Sequence, residues 1–513
     1  MFDDYKHKIK SLEDLRGVIG PRPRNQRVVM CHGMFDIVHP GHIRHLLYAK
    51  AQGDILIASV TCDEHASKGE GRPYVPQELR AANLAALEAV DYVLIDDQPE
   101  PLANISVLQP DYFVKGFEYS ADGFPPKTQE EIDLVSSYGG EFLFSPGDVV
   151  YSSTQLLDHH KPNITSEKTV ALMDAEGVTV DQLKSTLKGM EGVRVHVIGD
   201  TIVDKYSNCT ILGQSTKTPT FSVKLNDAEL FVGGAGVVAK HLRSLGAEVT
   251  LTTVLGDDDL AKFVEEDLSS WGIRLNSIHE AKRPTTLKER FWADNYKLLQ
   301  VDTVDNSPLA RRQVGQIKDL VHDLSCDLVI FSDFRHGLFH SGSIDALTSA
   351  IPSGSMKAAD SQVSSRWGNI LDFQGFDLIT PNEHEARFAL GDQDSGVRHL
   401  AERLLREAGA KFLILKLGER GVLTYRRPTP GPRSFFFLDS WVDGLVDAVG
   451  AGDAMLAGST LAMVVSQDIV QGAIIGNLAA ALACETLGNV PILRNDLIER
   501  ADGLKEGAQE MAR

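Results

Sequence analysis

The sequence predicts an α/β protein made of two doubly wound parallel-sheet domains, and three observations carry that prediction. Short apolar, strand-like runs alternate with helical patterns through residues 1–160. The same alternation restarts at Val193 and continues nearly to the end of the chain. In both stretches polar residues stand just past the apolar runs, where a doubly wound sheet keeps its ligands. At 513 residues the chain is also too long for one ordinary domain. The expected layout is a first domain at 1–160, a connector at 161–192 and a second domain at 193–513.

Composition narrows the function. Hydrophobic residues at 43% and charged residues at 24% are ordinary for a globular protein with full cores. A net charge of −20 argues against a nucleic-acid or anionic-membrane partner, because phosphate-rich surfaces need a basic face. Nucleotides stay open, since a few local donors bind them. The five cysteines (Cys31, Cys62, Cys209, Cys326, Cys484) are scattered and lack C-x-x-C spacing, so reduced thiols and a cytoplasmic location are expected. The polar first ten residues predict no signal peptide, and no apolar run approaches a membrane span.

In the first domain a strand is expected at 27–31, followed by His32-Gly33-Met34-Phe35-Asp36-Ile37-Val38-His39-Pro40-Gly41-His42 and a helix at 43–51. Further strands are expected at 54–60, 92–95, 112–114 and 141–144, with helices at 76–89 and 128–137. Gly41 removes a side chain where phosphates approach. His39 and His42, on one helical face, can then donate to phosphoryl oxygens.

These residues resemble the cytidylyltransferase-like nucleotidyltransferases, whose pattern G-x-F-D-x-x-H-x-G-H is met by Gly33, Phe35, Asp36, His39, Gly41 and His42. Lys68-Gly69-Glu70-Gly71-Arg72-Pro73, the Arg80…Leu84 helix, Val114-Lys115-Gly116 with Glu118-Tyr119, and Tyr151-Ser152-Ser153-Thr154 also agree. The resemblance implies a Rossmann-like domain with His39 and His42 catalytic. It implies a nucleotide held by Gly33, Met34, Phe35, His39, Gly41, His42, Lys115, Ser152, Ser153 and Thr154. The implied reaction is attack by a sugar or alcohol phosphate on the α-phosphorus of a nucleoside triphosphate, releasing pyrophosphate. Positioning and charge stabilisation would suffice for it.

Residues 166–190 are polar with helical periodicity, as a connector or as the opening helix of the second domain. A strand at 193–198 leads to Gly199-Asp200-Thr201-Ile202-Val203-Asp204, then to β-rich runs at 209–212 and 218–225 that suit a lid. Gly233-Gly234-Ala235-Gly236 opens a helix ending near Leu245-Gly246, and 283–302 reads as extended segments around a turn. Asp200 and Asp204 suit gripping the hydroxyls of a polyol, with a helix or turn cap as the other reading of Asp204. Strands at 328–331, 356–359, 377–379 and 411–416 end at Asp333, Asp360, Asn382-Glu383-His384-Glu385 and Leu417-Gly418-Glu419-Arg420-Gly421. Glu385 fits a magnesium–water shell or a capping box with Asn382, and the local sequence favours the box. In Asp447-Ala448-Val449-Gly450-Ala451-Gly452-Asp453, small residues at a helix start bare N–H groups to an anion. Asp453 stands where a carboxylate can take a proton from an attacking hydroxyl.

From Val193 to near Ile498 this set resembles the ribokinase-like (phosphofructokinase-B type) sugar kinases. The resemblance implies a nucleotide site of Asn382, Glu385, Lys416, Gly418, Gly421, Gly450, Ala451 and Gly452. It also implies a sugar site of Asp200, Asp204, Gly233, Gly234 and Asp453. Two positions depart from the pattern: Val449 where the family often has Thr, and Val237 where related heptose kinases have Asn.

The pairing of domains resembles the bifunctional heptose-7-phosphate kinase and heptose-1-phosphate nucleotidyltransferases of lipopolysaccharide precursor synthesis, with the transferase here placed first. It implies Mg2+, ATP and a second nucleoside triphosphate (ATP or CTP), sugar-phosphate substrates, and a possible homodimer through the lid. A separate phosphatase would remove the 7-phosphate between the two steps. Alternatives are another sugar or polyol kinase fused to an alcohol-phosphate cytidylyltransferase, or a sugar-phosphate sensor with one inactive domain.

Overall fold

The computed structural model describes residues 5–66, 73–116, 126–145, 165–214, 220–293, 296–363, 368–427 and 433–510. The chain forms two compact units, 1–175 with 508–513, and 176–507.

The first unit carries a parallel sheet of β1 (Val28–Gly33), β2 (Ile55–Thr61), β3 (Tyr92–Asp96), β4 (Tyr112–Gly116) and β5 (Glu141–Ser145), in the order β3-β2-β1-β4-β5. β1 and β2 are apolar almost throughout because both faces are covered. Alternate residues feed two cores: Val29, Cys31, Leu56 and Ala58 on one side, Val28, Met30, Ile55 and Ile57 on the other. The crossovers are the helices Pro40–Lys50, Gln77–Ala85, Leu102–Leu108 and Pro126–Ser137. The strand order reverses between β1 and β4, and their carboxyl ends, Gly33 and Gly116, open the crevice where such sheets bind ligands.

The polar stretch predicted as a connector contains two helices, Thr165–Glu176 and Val180–Gly189, separated at Gly177 with φ +70°. Thr179 and Gln182 form a capping box on the second.

The second unit comprises β6 (Arg194–Gly199), β7 (Thr201–Gln214), β8 (Phe221–Gly234), β9 (Glu248–Leu255), β10 (Arg274–His279), β11 (Leu287–Ala293), β12 (Tyr296–Thr303), β13 (Leu328–Asp333), β14 (Met356–Ser361), β15 (Leu378–Ile379), β16 (Phe412–Lys416), β17 (Val422–Arg426) and β18 (Phe435–Leu438). A nine-stranded sheet runs β10-β9-β6-β13-β14-β15-β16-β17-β18, parallel as far as β16 and antiparallel beyond it. Its order reverses between β6 and β13, so Asp200 and Asp333 stand at the switch point.

A second sheet, β12-β11-β7-β8, forms the expected lid. The two short runs read from the sequence belong to strands of 14 residues each, paired antiparallel. Apolar windows miss them because β8 is exposed along most of its length and carries polar side chains there. Asp204 accordingly lies inside β7, not in a loop past a strand end.

The helices Ala451–Ser466 and Ile469–Cys484 form a hairpin that is apolar nearly all round and almost wholly buried. Small residues set the close approach: a Cβ on Gly476 would stand 1.9 Å from Ser459 Oγ, and one on Gly458 would stand 3.0 Å from Ala479 Cβ. Among the described residues no helix is long and apolar enough to cross a membrane.

Candidate active sites

In the first unit β1 delivers a strained turn: Phe35 is left-handed at φ +48°. Arg80, fully buried, holds that turn by donating to the Met34 carbonyl, to the Val75 carbonyl at 2.8 Å and to Asp63 at 2.6 Å. Asp36 accepts from the Val75 N–H at 2.8 Å. His39 caps the helix Pro40–Lys50, its Nδ1 accepting from the Gly41 N–H at 3.1 Å. A Cβ on Gly41 would meet the His39 ring at 2.9 Å, so a larger residue there would push the capping ring aside. With Nδ1 accepting, the neutral His39 ring carries its proton on Nε2. His42 Nδ1 lies 3.1 Å from the Ile37 carbonyl, which can only accept, so this nitrogen is protonated. A second donor on His42 therefore requires the cationic ring. The two rings stack with centroids 3.9 Å apart, and Phe35 stands 5.2 Å from His42.

Lys115, at the end of β4 beside β1, donates to Thr128 Oγ1 at 3.2 Å and pairs with Glu131 at 2.6 Å. Burial raises the Glu131 pKa against the pull of Lys115. His45 bonds Ser145 at 2.9 Å. His32 is held by Ser59 at 3.0 Å and Thr61 at 3.2 Å, and burial, with Lys115 adding to it, lowers its pKa to about 4. Burial thus favours the neutral ring. Glu131, Thr128 and His45 were missed in the sequence because they lie on helices whose local pattern is ordinary; the lysine's strand-end position was the only pointer. Lys68, Ser152, Ser153 and Thr154 lie outside the described residues.

In the second unit Gly450, at φ +83°, caps the helix Ala451–Ser466, placing Gly452 and Asp453 in its first turn. Lys416, from the end of β16, reaches beneath that tip: a Cβ on Gly452 would lie 3.2 Å from its Nζ. Both Asp360 oxygens accept from Lys416, at 3.0 and 3.2 Å. Burial opposes the ammonium, yet Asp360, Glu385 and Asp453 together raise its pKa. Burial, then the nearby Asp360 charge, drives the Asp453 pKa up to about 8 against Lys416. Asn382 and Glu385 form the favoured capping box, with Asn382 N–H to Glu385 at 2.7 Å and Glu385 N–H to Asn382 at 2.8 Å. Burial raises Glu385 to about 7. Gly418 and Gly421, at φ +62° and +80°, shape the turn after β16.

The expected sugar residues converge differently. Asp200 spends one oxygen on the backbone N–H groups of Phe334 and His336, at 3.0 and 3.2 Å. Asp204 accepts from Arg290 through one oxygen and from Asn489 at 2.6 Å through the other. Gly233 lies against them: a Cβ there would fall 2.1 Å from Asp204 Oδ2. Asp447 joins three elements, accepting from Tyr206 of the lid at 3.0 Å, Gly488 N–H at 3.3 Å and Val449 N–H at 3.1 Å. Lys288 lies opposite Asp204 in the β11–β7 register. Burial lowers its pKa, and Asp204, Asp302 and Asp453 work against that. Lys288, Arg290 and Asn489 escaped the sequence reading, for nothing local marks a residue whose partner is more than eighty positions away.

Comparison with known proteins agrees with both units. Residues 194–494 match the pfkB family carbohydrate kinases and residues 30–168 the cytidylyltransferase-like family. A relative from Pelobacter propionicus, named bifunctional protein HldE, is 28% identical over 309 residues, 59% of this chain and 62% of that one. The HldE protein of Geobacter metallireducens is 40% identical over 140 residues, 27% of this chain and 28% of that one. The chain thus spans less than two thirds of the length of these curated relatives. Phosphofructokinase-2 from Escherichia coli, solved with fructose-6-phosphate, shares the fold at a TM-score of 0.51 and 16% identity, covering 61% of this chain and 99% of its own. With its kinase region matched over more than half its length, the chain belongs to the pfkB family of carbohydrate kinases.

Proposed function

We propose that the chain is a bifunctional transferase that phosphorylates heptose 7-phosphate at C1 with ATP and couples a sugar 1-phosphate to a nucleotide. The observation that carries it is Asp453, with its raised pKa, in the first turn of a glycine-tipped helix above the Lys416 ammonium. The sugar oxygen attacks the γ-phosphorus while its proton passes to Asp453. The bond to the bridging oxygen then breaks and ADP leaves. The Gly452 N–H at the helix tip, the helix dipole and the Lys416 ammonium stabilise the charge that gathers on the transferred group. In the other unit His39 Nε2–H and, with its ring protonated, His42 Nε2–H donate to the triphosphate while a sugar 1-phosphate oxygen attacks the α-phosphorus, releasing pyrophosphate.

The carboxylates of Asp360 and Glu385 beside Lys416 suit magnesium carried on nucleotide phosphates and reached through water. Bound there, magnesium would neutralise phosphate charge. Exposed apolar side chains on the lid, Leu212, Phe221, Leu225, Tyr296 and Leu299, support a homodimer built on that sheet. Five free cysteines, four of them buried, support a reducing cytoplasmic compartment.

The test is incubation of the full chain with heptose 7-phosphate, and separately with heptose 1-phosphate, and each nucleoside triphosphate in turn, products read by mass spectrometry. Formation of heptose 1,7-bisphosphate, and of a nucleotide-sugar from heptose 1-phosphate, is expected. Absence of the bisphosphate with ATP overturns the kinase assignment.

A further inference from the structure

We infer that Asn489 selects the sugar, its side-chain carbonyl accepting a hydrogen bond from a hydroxyl neighbouring the one that is phosphorylated. Asn489 is only 4% exposed, and its Nδ2 donates to Asp204 at 2.6 Å. The other Asp204 oxygen is taken by Arg290. A carboxylate paired with a guanidinium can only accept, so the amide orientation is set and Oδ1 faces the other way. That Oδ1 is buried and has no hydrogen-bond partner among the described residues. It points at the helix tip, 2.9 Å from where a Cβ on Gly450 would stand. On the opposite side, Nδ2 lies 2.8 Å from the corresponding point on Gly233. The amide therefore bridges the lid, through Asp204 and Gly233, and the mouth of the anion hole.

A buried acceptor without a donor is unfavourable, and a ligand hydroxyl would supply the missing donor. A carbonyl oxygen repels phosphoryl oxygens, so the ligand group there is not the nucleotide phosphate. A neutral hydroxyl fits: it donates to Oδ1 and sits beside the hydroxyl served by Asp453. The ligand class is a polyol with adjacent hydroxyls at the reacting end.

The inference rests on the kinase reading, and the experiment separates the two. The full chain and its Asn489→Ala and Asn489→Ser variants are assayed with ATP against heptose 7-phosphate, fructose 6-phosphate and ribose. The accepted sugar is then compared with its analogue lacking the neighbouring hydroxyl. Wild type is expected to prefer the hydroxylated sugar by about 100-fold in kcat/KM, a preference that Asn489→Ala reduces to within about threefold. The KM for ATP should stay within about twofold. Asn489→Ser, which keeps a small polar group, should melt within about 2 °C of wild type and show the same loss of discrimination. Undiminished discrimination in both variants overturns the inference, as does a raised KM for ATP with an unchanged sugar KM. Acceptance of another sugar in place of the heptose overturns the substrate reading, while the Asn489 comparison proceeds on that sugar.

Discussion

Lys416 Nζ bonds both carboxylate oxygens of Asp360, at 3.0 and 3.2 Å, against Gly452 in the first turn of the Asp453 helix. Lys416 thus answers three carboxylates, those of Asp360, Glu385 and Asp453, with Lys288 as a weaker second cation for Asp453. The imbalance, added to burial, is why Asp453 keeps its proton to about pH 8.

A base acts only when ionised, so sugar phosphorylation should climb with pH and level off above about 8. A kcat/KM profile from pH 6 to 9 checks this. Lys416→Met removes the opposing cation and should displace the rise to higher pH, besides slowing the reaction by about 100-fold or more.

Asp453→Asn should abolish phosphorylation, leave nucleotidyl transfer untouched and raise thermal stability. The sign follows from proton uptake. Between the ordinary aspartate value of 3.8 and about 8, the folded protein holds a proton that the unfolded chain has released. Stability on this account is full below that range and is lost as pH rises through it. The variant escapes the loss, so its Tm advantage, about 5 °C at pH 8, should shrink toward zero near pH 4. Calorimetry across pH measures it.

His39→Ala should lower nucleotidyl transfer by about 100-fold or more while sparing phosphorylation, because it removes a donor to the phosphates and the helix cap together. Pyrophosphate release, assayed separately from ADP release, reads the two activities. Equal loss of both would refute separate sites.

Arg80→Met should destabilise the first unit by about 3 kcal/mol, since Asp63 and the Met34 and Val75 carbonyls lose their shared donor. Denaturant unfolding gives the loss. Nucleotidyl transfer should fall with it as the turn at Phe35 loosens.

Phe221→Asp with Leu299→Lys, both on exposed lid positions, should convert a homodimer to monomers. Sedimentation velocity of the variant against wild type decides it.

Motifs made of neighbours in sequence were legible before the fold. His39-Pro40-Gly41-His42 announced a capped helix, and Asn382 with Glu385 announced a capping box, because helix starts are local events. Gly450 and Gly452 marked the helix tip for the same reason. What stayed hidden is what distance in the chain conceals. Lys288 meets Asp204 only through a β11–β7 register, and Asn489 reaches the same carboxylate from beyond the helical hairpin. The lid strands hid for another reason: β8 lies largely in solvent, so no apolar run betrays its length.

The helical hairpin has one more implication. With Gly458 and Gly476 leaving no room for even a methyl group without displacement, the segment bearing Asp453 is a fixed anvil. Whatever opens and shuts around substrate has to be carried by the outer strands. Directed evolution toward new sugars should therefore collect its changes in β7, β8 and β11 and leave the hairpin untouched.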